Sequence, residues 1–148
     1  MKLTGKCKED FEKWFDIIFY EDYYQIDEYG NVRSKDRVVR CGYGKTRKVK
    51  GRVLKPYLNK KNGYLYIDFN IHGSRVKYTI HKLVATQFHG INEDIVLEVN
   101  HKDCNKLNNH ADNLEWVTRS ENTQHAYDNG LISTEGRGGY RHGKKKEV

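Results

Sequence analysis

Apolar side chains along this chain recur in short runs broken by turn residues, and the runs fall into three blocks. In the first, Phe11, Trp14, Phe15, Ile18 and Phe19 recur at helix-like spacing and predict a helical stretch. Tyr23 to Asp27 then alternates, Gly30-Asn31 supplies a turn, and Val32-Arg33-Ser34 begins another strand, which is a hairpin signature. From Arg40 to Arg52 no periodicity is visible. That stretch reads as a basic loop punctuated by Gly42, Gly44 and Gly51. It is either a solvated hairpin tip or a loop whose glycines let backbone N–H groups approach phosphates.

The second block runs from Leu54 to Phe88. A strand, an Asn62-Gly63 turn and another strand are expected, with Leu65, Ile67 and Phe69 on one face and Tyr64, Tyr66 and Asp68 on the other. After a His72-Gly73 turn, Arg75 to Ile80 is a third strand with Val76, Tyr78 and Ile80 together. His81 to Phe88 is a short helix burying Leu83, Val84 and Phe88. The third block contains a strand at 95–99, a loop rich in asparagine, a short strand at 114–117 and a helix over about 119–129 that stops at Gly130. Thr118 and Ser120 are both candidate N-caps, and Glu121 sits three residues after Thr118 as a capping box requires. The tail from Glu135 to Val148 is rich in Gly, Arg and Lys and is expected to be disordered without a ligand.

Composition narrows what such a chain can be. At 148 residues and 36% hydrophobic content, it holds one domain or two very small ones, with aromatic side chains (11 Tyr, 5 Phe, 2 Trp) supplying much of the core. The net charge of +7 suits a polyanionic partner, since cations that neutralise phosphates gain by releasing counterions. Cys7, Cys41 and Cys104 are odd in number and far apart, which argues against a four-cysteine zinc site and against a secreted disulfide framework. No run reaches the length of a membrane span, the N-terminus lacks an apolar signal core, and a cytoplasmic protein is expected.

The densest chemistry lies in Asn100-His101-Lys102-Asp103 and the residues after it. His101 ends a strand, Asn113 follows 12 positions later and Asn122 lies on the helix a further 9 positions on. Phosphodiester hydrolysis needs a base, a cation and a scaffold that holds both in line. An imidazole titrating near neutrality suits the first task. The amide oxygens of Asn100 and Asn122 are hard ligands suited to Mg²⁺ or Mn²⁺. Asn113 can tie the intervening loop to the backbone. His125, one turn after Asn122, is a candidate additional ligand. Taken singly, a strand-end histidine is most often a surface residue and asparagines are ordinary turn material; the order and spacing carry the reading. Cys104 occupies a turn slot where glycine is more usual.

Residues 96–125, with Asn100-His101-Lys102-Asp103, Asn108-Asn109, Asn113-Leu114-Glu115-Trp116-Val117-Thr118 and Glu121-Asn122, resemble the HNH nuclease motif, or ββα-metal finger, of phage and intron-encoded homing endonucleases. Segment 14–34 is similar to the small DNA-binding module often fused before that motif, and Ile80 to Phe88 match the helix between the two. The resemblance implies an α+β chain: a small antiparallel-sheet module at about 10–60, an HNH domain at 61–130 with its ββα motif at about 95–129, and a basic tail at 131–148. It implies His101 as general base, Asn113 as the loop-ordering residue, and Asn100 and Asn122 as ligands of one Mg²⁺ or Mn²⁺, with Asn100 standing where the family often has aspartate. A metal-dependent endonuclease cutting double-stranded DNA, as a nicking monomer or a DNA-dependent dimer, is the expectation. A DNA-binding regulator with a weak or inactive site is the alternative, and an RNA-directed nuclease a third. Contacts to DNA are expected from Arg33, Arg40, Lys45, Arg47, Lys48, Lys50, Arg52, Lys102 and Arg119, with Arg37 a further base-reading candidate.

Overall fold

The computed structural model describes residues 13–92 and 96–132. Strands β1 (Phe15–Asp16), β2 (Tyr24–Ile26) and β3 (Val32–Ser34) form a three-stranded antiparallel sheet in that order. The helix expected around Trp14 to Phe19 is therefore corrected: Phe15 and Asp16 pair with Ile26 and Gln25, and the Ile17 N–H donates to the Tyr24 carbonyl at 3.0 Å. The reason is visible in burial. Ile17 is 3% exposed while Phe19, in a turn at φ 69°, is 73% exposed, so the core residue lies off the helical stripe the spacing suggested. Aromatic and β-branched side chains favour the pleated surface they occupy here. Phe11 lies outside the described residues, as does the tail after residue 132.

The stretch 40–52 is also more ordered than its sequence suggests. Strands β4 (Arg37–Arg40) and β5 (Thr46–Val49) pair antiparallel, with Arg37 opposite Val49 and Arg40 opposite Thr46, so only Cys41 to Lys45 form a loop at the tip. Thr46, Arg47 and Lys48 are all exposed. A ribbon with no buried face has no apolar alternation to display, which is why its strands escape a pattern reading. Tyr43 and Gly44 turn the tip with φ of 62° and 71°.

Strands β6 (Tyr57–Leu58), β7 (Leu65–Ile71) and β8 (Ser74–Thr79) make a second three-stranded antiparallel sheet. Ile67 and Phe69 are buried as the alternation requires, and the His72-Gly73 turn uses two positive φ values, 51° and 82°. Val76, expected to share a face with Tyr78 and Ile80, is 37% exposed. Helix α1 (Ile80–His89) follows directly and buries Leu83, Val84 and Ala85, with Phe88 half-buried. Strands β9 (Leu97–His101) and β10 (Leu114–Thr118) then form an antiparallel pair, and helix α2 (Arg119–Asp128) completes the ββα unit. Of the two candidate N-caps the structure uses Thr118: its Oγ1 accepts from the Glu121 N–H while Glu121 accepts from the Thr118 N–H, a closed capping box.

One apolar cluster unites these parts. Ile17, Ile26 and Val32 of the first sheet pack with Phe69, Val84, Val99 and Leu114. Gly30 is where the first hairpin meets α1. Its φ is 84°, and a Cβ there would lie 2.6 Å from Ile80 Cγ2 and 3.4 Å from Asn109 Cβ, so no larger residue fits. Next to it the Glu28 carbonyl accepts from the Ala111 N–H at 2.8 Å, and the Tyr29 and His110 rings meet edge to face at 4.8 Å.

Candidate active site

The ladder between β9 and β10 sets the site. His101 lies opposite Leu114 and Asn100 opposite Glu115, and both His101 and Asn100 are buried. Asn100, His101, Asn122 and His125 line one cleft of about 310 Å³, together with Tyr64 and Cys104. Side chains from β9 and α2, up to 25 positions apart, thus converge with two loop residues on a common space.

Each of the two asparagines is oriented by a carboxylate. Asn100 Nδ2 donates to Glu115 Oε1 at 2.9 Å, and Asn122 Nδ2 donates to Glu98 Oε2 at 2.7 Å. An ionised carboxylate can only accept, so the NH₂ of each amide must face it and the amide oxygen is left for another partner. Sequence reading missed Glu98 and Glu115, because their role depends on cross-strand register and on the approach of α2 to β9, neither of which is local.

His101 is oriented in the same manner. Asn109 Nδ2 donates to the Leu107 carbonyl at 3.3 Å, which turns its Oδ1 toward His101 Nε2 at 3.2 Å. The imidazole therefore carries its proton on Nε2 and keeps its lone pair on Nδ1. Burial pushes the pKa of His101 below the ordinary imidazole value. The Asn109 bond and the Asp103 charge oppose that shift, and the Lys106 ammonium adds to it. At neutral pH the ring is an uncharged acceptor.

Behind His101 stands His81, near the start of α1, with ring centroids 5.5 Å apart; Tyr64 packs against both, at 4.4 Å from His81 and 6.1 Å from His101. Burial, followed by the proximity of His101, pushes the His81 pKa down to about 3, so this ring stays neutral.

The loop between the strands is held by Asp103 and Asn113. Asp103 accepts from the Asn105 N–H at 2.8 Å, Asn108 Nδ2 at 2.7 Å and Asn113 Nδ2 at 2.9 Å. Those bonds, that of Asn108 above all, hold its carboxyl below the usual carboxylate range. Asn113 also donates to the Asn108 carbonyl and accepts from the Asp103 N–H, spanning the loop. Asn113 is thus a tie across the loop, and Asp103 is a turn residue. Cys104 adopts φ 60°, the glycine-like conformation its slot suggested, and its Sγ lies 3.8 Å from His125 Nδ1.

The donor set fits a hard divalent cation. It offers neutral amide oxygens and imidazole nitrogen, with carboxylates one hydrogen bond behind. Among the described residues no group of three or more His, Cys, Asp or Glu is arranged to hold a metal ion, and no carboxylate lines the cleft itself. The expected DNA-facing cations Arg40, Lys45, Arg47, Lys48, Lys50 and Arg52 are exposed on or beside the β4–β5 ribbon. Lys102 and Arg119 are exposed near the ββα unit, the former donating to the Asp112 carbonyl at 2.9 Å. Among the described residues no helix is long and apolar enough to cross a membrane.

A family model described as HNH endonuclease matches residues 78–124, and one described as the NUMOD4 motif matches residues 12–70. The solved structure described as "DNA binding and cleavage by the HNH homing endonuclease I-HmuI" superposes with a TM-score of 0.64 at 34% identity, covering 82% of this chain and 61% of that one. Residues 78–124 thus belong to the HNH endonuclease family, with a NUMOD4 motif before them, and the chain is similar to HNH homing endonucleases. Its relatives include DNA endonuclease I-HmuI of Bacillus phage SP01, 34% identical over 122 residues. The uncharacterized HNH endonuclease L245 of Acanthamoeba polyphaga mimivirus is 33% identical over 120 residues, which are 80% of this chain and 31% of that protein. H-N-H endonuclease F-TflII of Escherichia phage T5 is 34% identical over 80 residues, 53% of this chain and 42% of that protein. The chain therefore spans about three-fifths of the SP01 enzyme and under a third of the mimivirus one. As a member of the HNH family it combines small antiparallel sheets with few helices in an α+β fold.

Proposed function

We propose that this HNH family member is a divalent-cation-dependent endonuclease that hydrolyses a phosphodiester bond of double-stranded DNA at a recognised site. The observation that carries the reading is the cleft in which Asn100, His101 and Asn122 meet. His101 takes the proton of the attacking water on Nδ1, since Nε2 is committed to Asn109. Asn100 and Asn122 hold a Mg²⁺ or Mn²⁺ through amide oxygens whose direction Glu115 and Glu98 fix. The cation, when bound, supplies charge stabilisation at the phosphate and the leaving oxygen. Asn113 keeps the loop between the two strands in shape, and His125 flanks the cleft as a phosphate contact or extra ligand.

The segment at about 10–60 serves as the recognition module, with the basic ribbon and the C-terminal tail extending the contact along the duplex. A single ββα unit cuts one strand per binding event. The monomer therefore nicks, and a double-strand break needs a second copy assembled on the DNA.

The test is incubation of supercoiled plasmid or phage DNA with Mg²⁺ or Mn²⁺, comparing the natural chain with His101→Ala. Metal-dependent nicking is expected, lowered about 10²–10⁴-fold in the variant while DNA affinity is retained. Duplex binding without nicking by either protein would instead favour a regulator, the reading that a cleft with no carboxylate in its lining also suits.

A further inference from the structure

Among the described residues most cations are exposed side chains, as at Arg40, Arg47 and Arg52. Arg33 is different. Its guanidinium carbon lies over the Trp14 ring, 4.3 Å from the centroid, a cation–π contact. Its Nε donates to Gln25 Oε1 at 2.8 Å. Gln25 is itself fixed, with Nε2 donating to Asp16 Oδ1 at 2.7 Å, and Lys35 Nζ holds the same carboxylate oxygen at 2.9 Å.

This row follows from strand register. Asp16 lies directly opposite Gln25 in the β1–β2 pair, and Gln25 directly opposite Arg33 in the β2–β3 pair, so the three side chains share one face of the first sheet. The contact with Trp14 and the Gln25 bond together restrain the guanidinium. Among the described residues no acceptor takes either Nη group. A fork of two parallel donors is thus held before any ligand arrives, which lowers the ordering cost of recognition.

The fork borders an open cleft of about 450 Å³, lined also by Ser34, Lys35, Asp36, Gly51 and Arg52. Its lining carries charge of both signs: Asp36, whose Oδ1 accepts from the Gly51 N–H, stands in the wall beside Lys35 and Arg52, and the Asp16 carboxylate behind Gln25 is paired with Lys35. What singles out a ligand is the shape of the fork, which matches a planar edge with two neutral acceptors. The guanine edge in the major groove offers that pair, O6 and N7, at the spacing a guanidinium fork matches.

We propose that Arg33, held over Trp14 and bonded to Gln25, is a guanine-reading residue, so that one G·C pair of the target is specified by the first sheet. This rests on the reading above that the chain binds duplex DNA, and it assigns sequence discrimination, as distinct from affinity, to one of many cations. The ribbon and tail cations then supply salt-sensitive phosphate contacts that carry no base information.

The experiment is selection of bound duplexes from a randomised library by the full chain in EDTA, so that binding is read without cutting. The natural chain should enrich sequences sharing a G·C pair at a fixed position. Arg33→Ala and Arg33→Lys should lose preference at that position by about 10- to 100-fold while keeping preferences elsewhere. The lysine variant keeps the charge, and with it most of the overall affinity. Gln25→Met, which keeps Arg33 but removes its lock, should weaken the same position and no other. Circular dichroism melting of each variant separates these effects from loss of fold. An unchanged selected pattern with uniformly weaker binding in both Arg33 variants would overturn the proposal, because that is the behaviour of a phosphate contact. So would a natural chain that selects no guanine sensitive to residue 33. Failure of the natural chain to bind duplex DNA at all would sink the proposed function as well, and is thus distinct from the first two results.

Discussion

Asn100 and Asn122 bring no charge of their own to a cation, yet each stands one hydrogen bond from a glutamate. The pairing does two things at once: it turns the amide oxygen away from the carboxylate, and it places negative charge just behind the ligand. Glu115→Gln removes that charge while keeping a side chain able to accept from Asn100. The expected outcome is a rise of about 10- to 100-fold in the Mg²⁺ concentration needed for half-maximal nicking, with DNA affinity in EDTA unaltered. Asn109 acts on His101 in a comparable way. Asn109→Ala leaves Nε2 without its acceptor and the tautomer unfixed, so single-turnover cleavage should slow, by less than the roughly 10²–10⁴-fold loss of His101→Ala. The pH dependence follows from the sign of the His101 shift. Cleavage requires the neutral ring, whose pKa is depressed; activity should persist as pH falls through the ordinary imidazole value near 6.5 and decline only below it. A rate profile whose acid limb lies above that value would contradict the burial-driven shift.

Among the elements, α2 depends most on its ends. It has no buried residue and little apolar face, so its position rests on the Thr118–Glu121 capping box, the Asn122–Glu98 bond and its junction with β10. Thr118→Ala should cost about 1 kcal/mol in urea denaturation, and because Asn122 rides on the first turns, it should also weaken cation binding. This ββα unit was the most legible part of the chain. Its cap is a local four-residue signal, and the intervals from His101 to Asn113 and Asn122 are properties of the sequence itself. The β4–β5 ribbon was illegible for the opposite reason, since both of its faces meet water and nothing in its composition distinguishes strand from loop. The segment around Trp14 misled because aromatic residues spaced as on a helix serve two different surfaces: Phe15 pairs across a sheet and packs edge to face on Phe88, while Phe19 projects outward. Glu98, Glu115, Asn109 and the Gln25–Arg33 row could be seen only once strand register was known.

At the level of the whole molecule, a basic chain with a thin core is held together around buried groups that must stay uncharged. His81 is the clearest case. Its pKa of about 3 in the fold, against about 6.5 when unfolded, means that between these values the unfolded chain binds more protons than the native one. Stability from this source is complete above about pH 6.5 and is lost progressively as pH falls toward 3. Denaturation midpoints measured across that window should fall with pH, and His81→Phe should flatten the fall. The same core also bears on how the two family segments work together. Residues from both pack in one cluster, and at Gly30 the first hairpin sits against α1 and Asn109 too closely for even a methyl group. Among the described residues, the sheet that carries Arg33 and the loop that aims His101 are joined by this packing. If the proposed roles of Arg33 and His101 hold, reader and blade would act as a rigid caliper, with the number of base pairs between the sequence sensed and the bond broken built into the fold.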